Sequence, residues 1–146
     1  MAHTVEASTV VATPPDRVWR LLENPYQWHL WWPALDNAET ADHKPLHDGS
    51  RLALALELGV MSFKVRGRVE LFAPGRSLVW TGRLAGARLR HSIFLEPRPN
   101  GTWVCRRESY EGAGALLARL LRLDRASAKG LEQSLRGLKR LAERSG

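Results

Sequence analysis

The stretch from Thr13 to Pro33 restricts what this chain can fold into more than any other. It runs Thr13-Pro14-Pro15-Asp16-Arg17-Val18-Trp19-Arg20-Leu21-Leu22, then Asn24-Pro25-Tyr26-Gln27-Trp28, then Trp31-Trp32-Pro33. Two prolines suit the first turn of a helix, where a missing N–H loses no partner, and Thr13 ahead of them is a candidate cap. Asp16 favours the positive helix end. Val18, Trp19, Leu21 and Leu22 give the helix a buried side, and Asn24-Pro25 stops it. A short second helical turn and a Trp-rich exit into a strand follow. Upstream, Val5 to Val11 is β-rich and loosely alternating, so a strand comes first.

Downstream the chain reads as a ladder of strands joined by short turns. After a strand at about Asp36 to Asp42, Arg51 to Leu58 alternates cleanly, with Leu52, Leu54, Leu56 and Leu58 on one face. Ser62 to Phe72 places Phe63, Val65, Val69 and Leu71 inside and Lys64, Arg66, Arg68 and Glu70 outside. Ser77 to Arg83 turns Leu78, Trp80 and Gly82 inward. Leu89 to Glu96 and Thr102 to Glu111 complete the set. Short connections of this kind imply an antiparallel sheet with one wet face.

From Gly112 the period becomes helical. Leu117, Leu120, Leu131, Leu135, Leu138 and Ala142 share one half of the cylinder, and arginines and Lys129 occupy the other. Gly130 and Gly137 each weaken such a helix by about 1 kcal/mol relative to alanine, and a bend is expected near Gly130. One strand, two short helices, six further strands and a long closing helix make an α+β arrangement of one domain over residues 1–146. A twisted antiparallel sheet curls, and one helix can cover its concave side. The inward set Leu52, Leu54, Leu56, Phe63, Val65, Trp80 and Ile93 either fills the remaining space or lines a ligand pocket there.

The formal net charge of +7 fits an acidic partner or an arginine-rich composition spread over solvated faces. The basic stripes, Lys64-Arg66-Arg68 and the outer half of the last helix, carry no interleaved aromatics. They give no strong nucleic-acid signal and allow only a weak attraction to an anionic membrane. The single cysteine, Cys105, excludes an internal disulfide, no apolar run approaches a membrane span, and the N-terminus has no secretory pattern. The expectation is a cytoplasmic monomer or homodimer that needs no cofactor.

The layout resembles the helix-grip superfamily of START lipid-transfer domains and bacterial polyketide cyclase/dehydrase-like (SRPBCC) proteins. Ala12-Thr13-Pro14-Pro15-Asp16-Arg17-Val18-Trp19 is similar to that group's opening, Trp31-Trp32-Pro33 to its exit from the short helices, and Leu78-Val79-Trp80 to a core strand. Glu108-Ser109-Tyr110-Glu111-Gly112 and the segment from Gly130 to Glu143 resemble its last strand end and closing helix. The resemblance implies a START-like ligand-binding domain whose curved sheet, about seven strands in the order β-α-α-β6-α, wraps the C-terminal helix. It also implies a pocket for a hydrophobic ligand but does not choose a function, since the fold hosts carriers, receptors and cyclases alike.

Chemistry concentrates in the last hairpin. If the turn at Pro97 to Gly101 sets Leu95 opposite Val104, then Ile93 faces Arg106 and His91 faces Glu108. His91, Arg106, Glu108 and Tyr110 then project inward together. An imidazole beside a carboxylate is expected to favour its charged form, so His91 and Glu108 are the candidate catalytic acid and base. A one-residue slip would bring in Cys105 and Arg107 instead. The alternative for the same residues is a satisfied structural hydrogen bond neutralised by Arg106. Arg106 and Tyr110 join the apolar set as candidate ligand contacts, and Trp31 and Trp32 either guard a cavity mouth or pin the short helices. His43 and His47 lack metal-site spacing, with Pro45 in a turn between them, so no metal is expected.

Three functions remain open on this reading. The first is a binder or carrier of a lipid, isoprenoid or polyketide-like molecule. The second is an aromatase/cyclase or dehydratase. The third is a module that uses its basic surface at RNA or an anionic membrane.

Overall fold

The computed structural model describes residues 3–58, 60–84, 86–112 and 123–145. Strand β1 (His3–Val11) leads into helix α1 (Pro15–Leu22) and a 3-10 helix (Pro25–Leu30). Strands β2 (Leu35–Thr40), β3 (Arg51–Leu58), β4 (Met61–Ala73), β5 (Ser77–Leu84), β6 (Ala87–Arg98) and β7 (Gly101–Glu111) follow, and α2 (Leu123–Ser145) closes the chain. Among the described residues the strands form one curved seven-stranded antiparallel sheet in the order β1-β7-β6-β5-β4-β3-β2. The architecture is the α+β helix grip expected, with α2 lying against β1, β7 and β3. No described helix is long and apolar enough to cross a membrane. The expected positions of Leu117 and Leu120 lie outside the described residues.

The helix faces follow the 3.6-residue period. Leu131, Leu135, Leu138 and Ala142 are buried against the sheet, while Lys129, Arg136, Arg140 and Arg144 are exposed. α2 runs as one continuous helix through Gly130. Gly137 has a packing role, because a Cβ there would lie 2.4 Å from the Trp31 carbonyl oxygen. Only a bare Cα lets the helix approach the Trp-rich exit this closely.

Two local expectations are corrected. Thr13 does not cap α1: the cap position is Pro14, with no side-chain cap bond. Of the two N–H groups that a cap at Thr13 could bond, the one at Pro15 is missing. Its hydroxyl instead donates to the Ala142 carbonyl (3.2 Å), and its carbonyl accepts from the Thr102 hydroxyl (2.7 Å). The residue thus ties the start of α1 to α2 and β7.

Leu71 is also exposed rather than inside. Val69 pairs with Trp80 but Leu71 with Val79, so Glu70 is an extra residue in β4. A bulge of this kind shifts the two-residue alternation by one. Phe72 takes the inward place and packs on Trp19 at a ring distance of 5.5 Å.

Candidate functional site

The last hairpin decides what the interior holds. Its register sets Leu95 opposite Val104, Ile93 opposite Arg106 and His91 opposite Glu108. Period-two alternation then turns His91, Arg106, Glu108 and Tyr110 to the core side, and all four are buried. Cys105 and Arg107 belong to the other face, where Cys105 Sγ and Arg107 Nε both point to the Glu6 carboxylate at 3.2 Å. Burial and Glu6 push the Cys105 thiol up to about 11, which suits a packed thiol and not a nucleophile.

The four buried groups form a relay. Arg106 Nη2 donates to His91 Nε2 at 3.0 Å, with Nε at 3.3 Å. A guanidinium has only donors, so Nε2 accepts and the ring proton sits on Nδ1. Nδ1 lies 3.3 Å from Glu108 Oε1, and the Tyr110 hydroxyl donates to Glu108 Oε2 at 3.1 Å. Arg106 Nη1 also donates to the Ser134 hydroxyl, which donates onward to the Leu131 carbonyl at 2.7 Å. Among the described residues the interior therefore holds one cation and one carboxylate joined through a neutral imidazole, with α2 tied in through Ser134.

Aromatic rings enclose the relay. The guanidinium carbon of Arg106 sits 4.2 Å from the Trp32 ring centre and 5.3 Å from that of Trp31. Trp80 stacks on His91 at 5.2 Å with an interplanar angle of 11°. A desolvated cation over aromatic faces is stabilised by their quadrupoles. Trp31 and Trp32 are thus buried wall residues and do not form an open rim. Trp31 and Trp28 also donate their indole N–H groups to the carbonyls of Leu21 (3.0 Å) and Leu22 (2.8 Å), pinning the short helices. Backbone carbonyls freed at the end of α1 supply those acceptors.

Burial and the positive charge of Arg106 pull the His91 pKa down to about 4, outweighing the hydrogen bond to Glu108. The imidazole is neutral at physiological pH, contrary to the expectation that its carboxylate neighbour would charge it. Sequence spacing brought Arg106 inward beside the pair, but not the burial and the direct hydrogen bond by which its guanidinium opposes a charge on the ring. Burial also draws Arg106 down to about 10, still cationic at neutral pH. For Glu108, burial works upward, but hydrogen bonding from His91, the Arg106 charge and the Tyr110 hydroxyl prevail and hold it below the ordinary carboxylate value. Glu108 is ionised, and at 6% exposure it is the member of the relay nearest to solvent.

The apolar candidates occupy the inner face around this relay. Leu52, Leu54, Leu56, Val65, Trp80 and Ile93 are buried, and Phe63 is half-buried. Cross-strand pairing puts Tyr110, Leu89, Gly82, Gly67 and Leu52 in one row. The glycines there leave the space that the Trp80 ring and Val65 fill. Ser134 was not singled out from the sequence, although its place between Leu131 and Leu135 on the buried face of α2 marks it as an inward polar group. Among the described residues no cluster of three or more His, Cys, Asp or Glu could hold a metal. His47 is exposed and paired with Asp42 at 3.2 Å.

Comparison with known proteins places this arrangement. No curated protein matches the sequence. The chain superimposes on the Zhui aromatase/cyclase from Streptomyces sp. R1128 with a TM-score of 0.83 and 16% identity, covering 99% of this chain and 95% of that one. It matches TTHA0849 from Thermus thermophilus with a TM-score of 0.81 and 17% identity, covering 99% of both chains. For MLL2253 from Mesorhizobium loti the TM-score is 0.76 and the identity 23%, again over 99% of both. At these identities the likeness establishes the fold. The family model described as "Polyketide cyclase / dehydrase and lipid transport" matches residues 2–143, so the chain belongs to that family.

Proposed function

We propose that the protein binds a hydrophobic small molecule of the lipid, isoprenoid or polyketide kind between the sheet and α2, holding its polar end at Glu108 and Tyr110. The observation that carries this reading is an apolar track on the inner face of β3 and β4. It starts at Leu52, in the row of Tyr110, and passes through the pairs Leu54–Val65 and Leu56–Phe63 to Met61 at the start of β4. Burial relaxes along it, from Val65 at 1% exposure through half-buried Phe63 to Met61 at 39%. An apolar surface leading from solvent to a few fixed polar groups is the usual make-up of a small-molecule site. Native mass spectrometry of the purified protein tests for a retained ligand, and titration with a fluorescent fatty acid tests the track. Phe63→Asp is expected to weaken binding at least about tenfold, equivalent to about 1.4 kcal/mol. Absence of both a retained mass and saturable binding refutes the reading.

The charge state of Glu108 favours a second reading, an aromatase/cyclase, as the Streptomyces neighbour is named, or a dehydratase. An ionised carboxylate beside a phenol could take a proton from an activated carbon while the Tyr110 hydroxyl steadies a developing enolate oxygen. A neutral His91 with both nitrogens engaged would then be a positioning residue and not the acid. Turnover of a poly-β-keto thioester that survives Glu108→Gln unchanged removes this reading.

A further inference from the structure

The outer face of the sheet carries a basic depression separate from the interior relay. Strands β4 to β7 form an open depression of about 830 Å³, floored by the backbone at Gly67 and Gly82. Lys64, Arg66, Arg68, Arg83, Arg88 and Arg90 line it, all exposed, against two carboxylates, Glu70 and Glu111. The sequence pattern groups only the first three. Antiparallel pairing brings the arginines of β5 and β6 beside them.

None of the six makes an ion pair with a described residue. Glu70 is engaged by the Thr81 hydroxyl at 2.9 Å. Register makes the crowding explicit, since Arg83 stands directly opposite Arg88, and Arg68 directly opposite Arg51 of β3. Like charges facing each other across strands destabilise a sheet. A polyanion seated over them would turn that repulsion into attraction.

The lining chemistry selects among polyanions. The four residue steps of β4 from Lys64 to Arg68 span about 13 Å at ~3.3 Å per step, too broad for one phosphate group. No residue of the lining is aromatic or aliphatic. Single-stranded nucleic acid would need rings for its bases to stack on. A membrane-docking face pairs its cations with inserted apolar side chains, and a protein interface centres on apolar or aromatic anchors. A duplex backbone needs neither: it presents one charge per ~1.7 Å of axis, and phosphate contacts position it without reading bases. We infer that the outer face of β4 to β7 binds double-stranded nucleic acid through its phosphodiester backbone, without sequence preference.

The test is fluorescence anisotropy of the full chain with a labelled mixed-sequence DNA duplex between about 50 and 200 mM salt, the range over which backbone contacts are lost. The log–log salt slope is expected near −5 for six phosphate contacts at ~0.9 each. The triple variant Arg66→Gln, Arg83→Gln, Arg88→Gln, with its fold checked by circular dichroism, is expected to reduce that slope by about 3. The matched triple variant on the outer side of α2, Arg136→Gln, Arg140→Gln, Arg144→Gln, removes the same charge and is expected to leave the slope unchanged. A duplex of different sequence should compete equally. Equal weakening by both triple variants would assign the binding to net charge and overturn the proposal. So would failure to bind duplex while anionic phosphatidylglycerol vesicles are bound. Loss of fatty-acid binding has no bearing on this site, because none of its six cations faces the interior track.

Discussion

The neutral imidazole of His91 gives the protein a pH dependence with a defined sign and size. In the unfolded chain this histidine takes up a proton near pH 6.5, but in the folded protein burial and the Arg106 charge delay uptake to about pH 4. Between those values the unfolded state binds more protons, so stability is complete above about pH 6.5 and is lost as the pH falls. At about 1.36 kcal/mol per pH unit, the loss is about 2 kcal/mol by pH 5 and about 3 kcal/mol by pH 4. Glu108, held below the ordinary carboxylate value, adds its own loss only at lower pH. The exposed His47 works the other way. Its backbone neighbour Asp48 and the Asp42 carboxylate raise its pKa, so its contribution fades as pH rises. Urea unfolding followed by tryptophan fluorescence at pH 7.5 and 5.0 measures the difference. His91→Gln keeps an acceptor for Arg106 and a donor for Glu108 but cannot titrate. It should flatten the profile, removing most of the ~2 kcal/mol difference. A wild-type profile flat over this range, or a variant that falls as steeply as wild type, refutes the neutral buried imidazole.

The two helical glycines should respond oppositely to the same substitution. Gly137→Ala drives a methyl into the Trp31 carbonyl and is expected to cost about 1–3 kcal/mol, read as a lowered urea midpoint. At Gly130 the nearest atom to an added methyl is Ala34 Cβ at 3.9 Å, so Gly130→Ala should raise the midpoint by up to about 1 kcal/mol through helix propensity. Arg106→Met removes the cation that faces Glu108 through the relay and should destabilise by about 3–5 kcal/mol, as expected for a buried carboxylate left unpaired. Pairing it with Glu108→Met should restore part of that loss in the same unfolding assay.

How much of this was legible in advance differed with the range of the interactions. Hydrophobic alternation placed every strand to within a few residues, because each strand is half buried and a two-residue period records that locally. The same alternation failed at Leu71, where one bulge residue in β4 reversed the faces. The proline-rich start of α1 was correctly read as a helix, but the use of Thr13 was not. Its hydroxyl bonds to Ala142, a partner distant in sequence that no local pattern could reveal. In the last hairpin, turn length supplied the register, and so the company of His91 with Glu108, Arg106 and Tyr110.

The sequence by itself determined the succession of elements, the inward set of the hairpin and the family resemblance, all of which rest on local periodicity or short-range turns. Tertiary structure decided the chemistry. It closed Trp31, Trp32 and Trp80 around Arg106 and His91, and brought Ser134 across from α2. That surrounding removes water and holds the Arg106 guanidinium against the ring nitrogen, and together these make the imidazole neutral. The same sheet register gathered Arg83, Arg88 and Arg90 beside Lys64, Arg66 and Arg68 on the opposite face. Electrostatic environment depends on distances through space, and those are set only when strands far apart in the chain lie side by side.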